Sequence, residues 1–276
     1  TPIQGCGVDD YPLSALRPPF HSNRDRKKPM ISFLMVTGPP FDAPLWSGVV
    51  ERIRSQGHNA TAMQMLVDGD GSIESESKRL ADQIQTIGSP VVLIAHGSAI
   101  PAAIEASLRA TLAGLVLSNG PLLQADRLTK TLVHWARVPK ILTDTVLSSK
   151  RSIRLLSSSL GLRRLVVNPY VMDHDTTVTI CGPIFDSAPR TTRMRNYLKT
   201  LSKIGWKNAS SELPILLCWG DADTLTNQNI DSFMEINPDK VSHTAVPGGR
   251  YLHPVERPWE LADRCISWAE KSLTTT

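Results

Sequence analysis

The 276-residue chain has no apolar run approaching the roughly 18 to 20 residues that cross a bilayer as a helix, which excludes a helical membrane span. It is poor in cysteine, and Cys6, Cys181, Cys218 and Cys265 form neither a Cys-x-x-Cys pair nor a Cys/His pattern with metal-ligand spacing. Reduced or buried thiols are therefore expected, and no metal site. No phosphate-cradling glycine loop or dinucleotide fingerprint occurs, so no cofactor is expected. Val67-Asp68-Gly69-Asp70-Gly71 is short and acidic but lacks EF-hand ligand spacing, and it reads as a turn. No nucleic-acid motif is present, and nucleic acid is not an expected partner. No hydrophobic signal segment precedes Ile3-Gln4-Gly5-Cys6 here, so a soluble or peripheral protein is expected.

What is present suits a globular α/β protein: 41% hydrophobic and 20% charged residues, in a length that allows one large domain with an insertion or two small ones. The organising stretch is Val91-Val92-Leu93-Ile94-Ala95-His96-Gly97-Ser98-Ala99-Ile100, an apolar, β-branched run that passes through small residues into a helix-forming segment. It predicts a buried strand, a sharp turn and a helix. Small side chains two residues either side of the centre let strand and helix backbones nearly touch, and Ala95 and Ala99 centre the turn on Gly97.

This segment resembles the nucleophile elbow of the α/β-hydrolase superfamily, Gly-x-Ser-x-Gly, with glycine where the nucleophile stands. Strand patterns over 30–36, 58–66, 91–96, 113–121 and 214–219 alternate with helical ones over 46–56, 73–87, 102–112 and 258–271. The expected fold is a mostly parallel central sheet flanked by helices. Residues 1–29 read as an N-terminal arm, 30–121 and 210–276 as the hydrolase-like core, and 122–209 as the mainly helical cap insertion of the superfamily.

The resemblance implies four catalytic positions. Trp219-Gly220-Asp221-Ala222-Asp223 resembles the Gly-x-x-Asp that supplies the triad acid, which assigns Asp223. The stretch from Gly249 to Pro258 resembles the Gly-His-x-x-x-x-Glu-x-Pro loop, and the register of Glu256 and Pro258 is taken to put Arg250 at the base position. A guanidinium is a poor general base. The second oxyanion donor falls on Pro39 of Thr37-Gly38-Pro39, and proline has no N–H. Gly97, Arg250 and Pro39 thus remove nucleophile, base and oxyanion donor and leave only Asp223, with an Asp223–Arg250 ion pair expected across the old site. A rescue requires Ser98 as nucleophile and His253 as base; otherwise His253 is expected in a loop or interface.

Charge is segregated. Between residues 126 and 164, Arg127, Lys130, Arg137, Lys140, Lys150, Arg151, Arg154, Arg163 and Arg164 face only Asp126 and Asp144, a net of +7 in a chain whose total is +4. This basic cap and the arm are the expected surfaces for a protein partner or larger assembly, with peripheral contact to anionic lipid as a further use. The expected function is a catalytically inactive hydrolase-like binding or structural subunit. The alternatives are an esterase-like hydrolase using Ser98 and His253, a lyase or isomerase, or a small-molecule receptor whose pocket stays open and apolar.

Overall fold

The computed structural model describes residues 30–88, 90–138, 149–201, 212–227, 229–236 and 238–274. The N-terminal arm and Cys6 lie outside these residues, as does Lys140 of the basic segment.

Six strands form one wholly parallel sheet in the order β2-β1-β3-β4-β5-β6. They are β1 (Ser32–Thr37), β2 (Asn59–Met63), β3 (Val91–His96), β4 (Gly114–Ser118), β5 (Ile215–Gly220) and β6 (Val241–Val246). β1, β3, β4 and β5 are buried along their whole length. Side chains alternate between two cores: Phe33, Ile94 and Leu216 enter one, and Leu34, Leu93 and Leu217 the other. This double burial makes the strands legible as continuous apolar runs.

α1 (Ser47–Ser55) and α10 (Pro258–Thr274) cover the first face, and α2 (Ile73–Ile87) and α3 (Ile100–Ser107) the second. α2 has the residues expected from its sequence because its ends are specified. Ser72 accepts from Ser75 N–H at 3.1 Å, Glu74 and Glu76 favour the first turn, and Gly88 ends the helix at φ +82°. α3 starts two residues earlier than the sequence pattern suggests, with Pro101 in its first turn where the missing N–H is harmless. It stops at Ser107, where Leu108 and Arg109 close a turn onto Glu105 and Ala106.

Between β4 and β5 the described regular elements are helical: α4 (Arg127–Arg137), α5 (Ser149–Leu156), α6 (His174–Phe185) and α7 (Ala188–Leu201), with two short 3₁₀ turns over 162–165 and 169–171. Asp126 caps α4 through Thr129 N–H, and Asp173 caps α6 through Thr176 N–H. A one-turn α9 (His253–Glu256) precedes α10, and α8 (Ile230–Ile236) lies between β5 and β6. The acidic 67–71 turn is tied to α7: the Arg193 guanidinium donates to the carbonyls of Val67 and Gly69, placing a fixed cation in that loop.

Candidate functional site

β3 ends at His96, and Gly97 turns the chain at φ +62° before α3 begins. That left-handed conformation is one glycine adopts freely, and it projects any side chain outward from the turn. A methyl group placed on Gly97 would overlap the Tyr251 hydroxyl and lie 3.3 Å from Tyr251 Cζ. The phenol therefore fills the space into which an elbow nucleophile would extend.

In the resembled loop the histidine falls on Tyr251, not Arg250. Four residues separate histidine from glutamate in Gly-His-x-x-x-x-Glu, and counting back from Glu256 reaches 251, so the Arg250 assignment was one residue out of register. Tyr251 is 3% exposed; burial, and then the carboxylates of Asp126 and Asp223, hold its phenol well above the ordinary tyrosine range. It is a neutral O–H at physiological pH and an ineffective proton acceptor.

Asp223 follows β5 as expected, but its carboxylate is saturated. Oδ2 accepts from Asn119 Nδ2 at 2.7 Å, from Thr226 N–H at 3.2 Å and from the Thr226 hydroxyl, while Oδ1 accepts from Leu225 N–H at 3.1 Å. Asn119, at φ +34° just past β4, also accepts from Gly220 N–H and fixes the β4 and β5 ends together. The Asp223–Arg250 ion pair does not form. Arg250 is exposed, and its Nη1 donates at 3.4 Å to the carbonyls of Arg164 and Val166.

Ser98 and His253 are not brought together either. Ser98 is 2% exposed and its hydroxyl donates to the Pro39 carbonyl at 3.0 Å, while the Tyr197 hydroxyl donates to the Ser98 carbonyl at 2.8 Å. His253 is wholly buried rather than a loop or interface residue, because α9 folds it under the β4 end. Its Nδ1 lies 3.0 Å from the Arg250 carbonyl, which assigns the proton to Nδ1 and leaves Nε2 to accept from Ser118 Oγ at 3.0 Å. Ser118 Oγ in turn accepts from His96 Nδ1 at 3.3 Å. Burial pushes His253 down to about 4 and His96 well below its usual range, so both rings are neutral. Pro39 lies in the β1–α1 loop as expected, its carbonyl engaged by Ser98.

Asp126 is a site residue that sequence reading counted only as charge. It is 2% exposed, Oδ1 caps α4, and Oδ2 has no hydrogen-bond partner. Burial first, and then Asp223, raises its carboxyl to about 6. A carboxyl with a folded pKa above its unfolded value favours the fold while protonated and loses that contribution as pH rises from about 4 to about 6. Asp126→Asn keeps the cap and removes the ionisation. Its stability relative to wild type in urea melts should grow from near zero at pH 4 to about 2 kcal/mol at pH 7.

A cavity of about 410 Å³ lies beside this centre, walled by Phe41, Leu128, Leu162 and Leu165, with Asp223, Arg164 and Arg250 as its charged lining. A second, apolar cavity of about 200 Å³ shares Pro40, Thr131, Leu132 and Leu156 with it and continues between α4, α5 and α7. Of the basic residues expected on the insertion, Arg127, Lys130 and Arg137 on α4, Lys150, Arg151 and Arg154 on α5, and Arg164 are exposed; Arg163 is half-buried and donates to the Met172 carbonyl.

The parallel sheet, the glycine-centred elbow after β3 and the acid-bearing loop after β5 define the α/β-hydrolase fold, and the chain has that fold. It is similar to the epoxide hydrolase CorEH at 14% identity and TM-score 0.66, over 87% of this chain and 91% of that one. A thermophilic esterase from Thermogutta terrifontis matches at 17% identity and TM-score 0.60, over 89% and 91% of the two chains. The haloalkane dehalogenase DbeA from Bradyrhizobium elkani matches at 13% identity and TM-score 0.66, over 90% and 92%. No family model and no curated protein matches the sequence. No described helix is long and apolar enough to cross a membrane.

Proposed function

We propose that this is a hydrolase-fold protein without covalent hydrolytic chemistry, working as a binding protein through the cleft between the helical insertion and the sheet. The observation that carries the reading is the Tyr251 hydroxyl seated where a nucleophile at position 97 would project. Around it, the acid is saturated, the base position holds a neutral phenol, and one oxyanion donor is a proline. Losing one oxyanion donor alone costs about 2.7 to 4 kcal/mol of transition-state stabilisation. Three of the similar structures are named an epoxide hydrolase, an esterase and a haloalkane dehalogenase; the proposed difference lies in the reacting groups, with the cleft retained.

Purified protein should release no product from p-nitrophenyl esters, a styrene-type epoxide or a bromoalkane above the buffer rate. Turnover abolished by Ser98→Ala would overturn the reading. The exposed basic residues of α4 and α5 are proposed as the surface for an acidic partner or larger assembly, in a soluble or peripheral protein. Size-exclusion chromatography of gently purified native protein tests this: a stoichiometric partner supports it, and a lone chain of 30.3 kDa counts against it.

A further inference from the structure

We infer that the cleft takes a single-chain amphipathic ligand with an anionic head, its tail lying between α4, α5 and α7 and its head against Arg250 and Arg164. The inference rests on the proposed binding role of the same cleft and adds the chemistry of what is bound.

The shape comes from the two cavities. The cavities of about 410 Å³ and about 200 Å³ adjoin, with Pro40, Thr131, Leu132 and Leu156 lining both, and together they are of ligand size. The smaller part is walled by Trp135, Phe185, Met194 and Leu198, and among the described residues its hydroxyl side chains are Thr131 and Ser152. Such a surface fits a hydrocarbon and offers little to hold a polar group.

The head group follows from the charges at the wider end. Asp223, the acidic lining residue among those described, spends both carboxylate oxygens on Asn119, Leu225 and Thr226 and has little capacity left for a cationic ligand. Arg250 and Arg164 are both exposed, line the cavity and are neighbours, with Arg250 Nη1 3.4 Å from the Arg164 carbonyl. Among the described residues neither pairs with a carboxylate: Arg164 Nε donates to the Ser159 carbonyl at 3.3 Å, and Arg250 makes only long contacts to carbonyls. Two planar forks lining one cavity suit a carboxylate or phosphate and repel an ammonium.

Calorimetric titration of the full chain with dodecanoate, dodecyl phosphate, dodecanol and dodecylamine, each below its micellar concentration, tests the inference. At least one anion should bind tenfold or more tighter than dodecanol, with dodecylamine weaker than dodecanol; which anion is tighter tells a carboxylate from a phosphate head. The Arg164→Gln/Arg250→Gln double variant should bring the anions to within threefold of dodecanol while leaving dodecanol unchanged. Leu132→Trp, which adds bulk to a wall common to both cavities, should weaken all four. Anions no tighter than dodecanol, or an anion preference that survives the double variant, would overturn it. p-Nitrophenyl dodecanoate in the same preparation separates the two claims. Its hydrolysis defeats the non-hydrolytic role and leaves the head-group preference readable with the other probes. Its persistence without any anion preference defeats this inference alone.

Discussion

Gly97→Ala should cost about 2 to 5 kcal/mol of stability, and adding Tyr251→Phe should return a large part of it. Two effects combine. A Cβ in the left-handed region costs roughly 1 to 2 kcal/mol, and forcing extra volume into a packed site typically costs about 1 to 3 kcal/mol more. Here that volume meets the Tyr251 hydroxyl, and Tyr251 is held beneath the insertion with a ring 4.8 Å from His96. Removing the hydroxyl clears the overlap but leaves Cζ in contact at 3.3 Å. The two substitutions should therefore be non-additive by at least 1 kcal/mol in a double-mutant cycle by urea denaturation. Additive losses would place the tyrosine elsewhere. Gly97→Ser is expected to behave like Gly97→Ala and to gain no esterase activity, since neither a base nor a second oxyanion donor accompanies it.

Arg190→Met should destabilise the protein by about 3 to 5 kcal/mol, the cost of leaving a buried charge unpaired. Arg190 on α7 and Asp42 in the β1–α1 loop are both buried, with Nη1 2.7 Å from Oδ2. The same guanidinium donates to the carbonyls of Met65 at 2.8 Å and Pro183 at 3.2 Å, so one side chain ties α6 and α7 to the β1 and β2 exits. Without it, Asp42 keeps, among the described residues, its bond from Ala43 N–H. Asp42→Asn in the Arg190→Met background removes the stranded charge and should recover at least 1 kcal/mol, again read by urea denaturation. A loss unchanged by Asp42→Asn would mean that packing of the long side chain, not its charge, joins the insertion to the sheet.

The fold was legible where burial on two faces writes itself as apolar runs, as in β1, β3, β4 and β5, and where caps mark ends, as in α2. β6 gave no such signal. It is an edge strand, its four central residues Ser242 to Ala245 are exposed or half-buried, and its sequence Val-Ser-His-Thr-Ala-Val neither alternates nor runs apolar. The elbow was readable from Ala95, Gly97 and Ala99 because a close strand–helix approach restricts residue size. Tyr251 was within reach of the sequence too, since Glu256 and Pro258 fix the count, and the error was a single position. Other features were not readable from spacing. Asn119 binds Asp223 from 104 residues away, and Ser118 joins His96 to His253 across strands. These contacts are made by tertiary folding, and a single sequence carries no local trace of them. The Asp223–Arg250 pair failed for the same reason: donors nearer the acid had already taken it.

The central claim is that the nucleophile site is filled and the remaining serine is committed elsewhere. Intact-protein mass spectrometry after prolonged incubation with a fluorophosphonate, followed by peptide mapping around residue 98, tests it most directly. The expected result is an unmodified mass, with Ser98 unlabelled both in the wild type and in Tyr251→Phe. A stoichiometric adduct on Ser98 in the wild-type protein would contradict the claim and return the chain to the serine hydrolases.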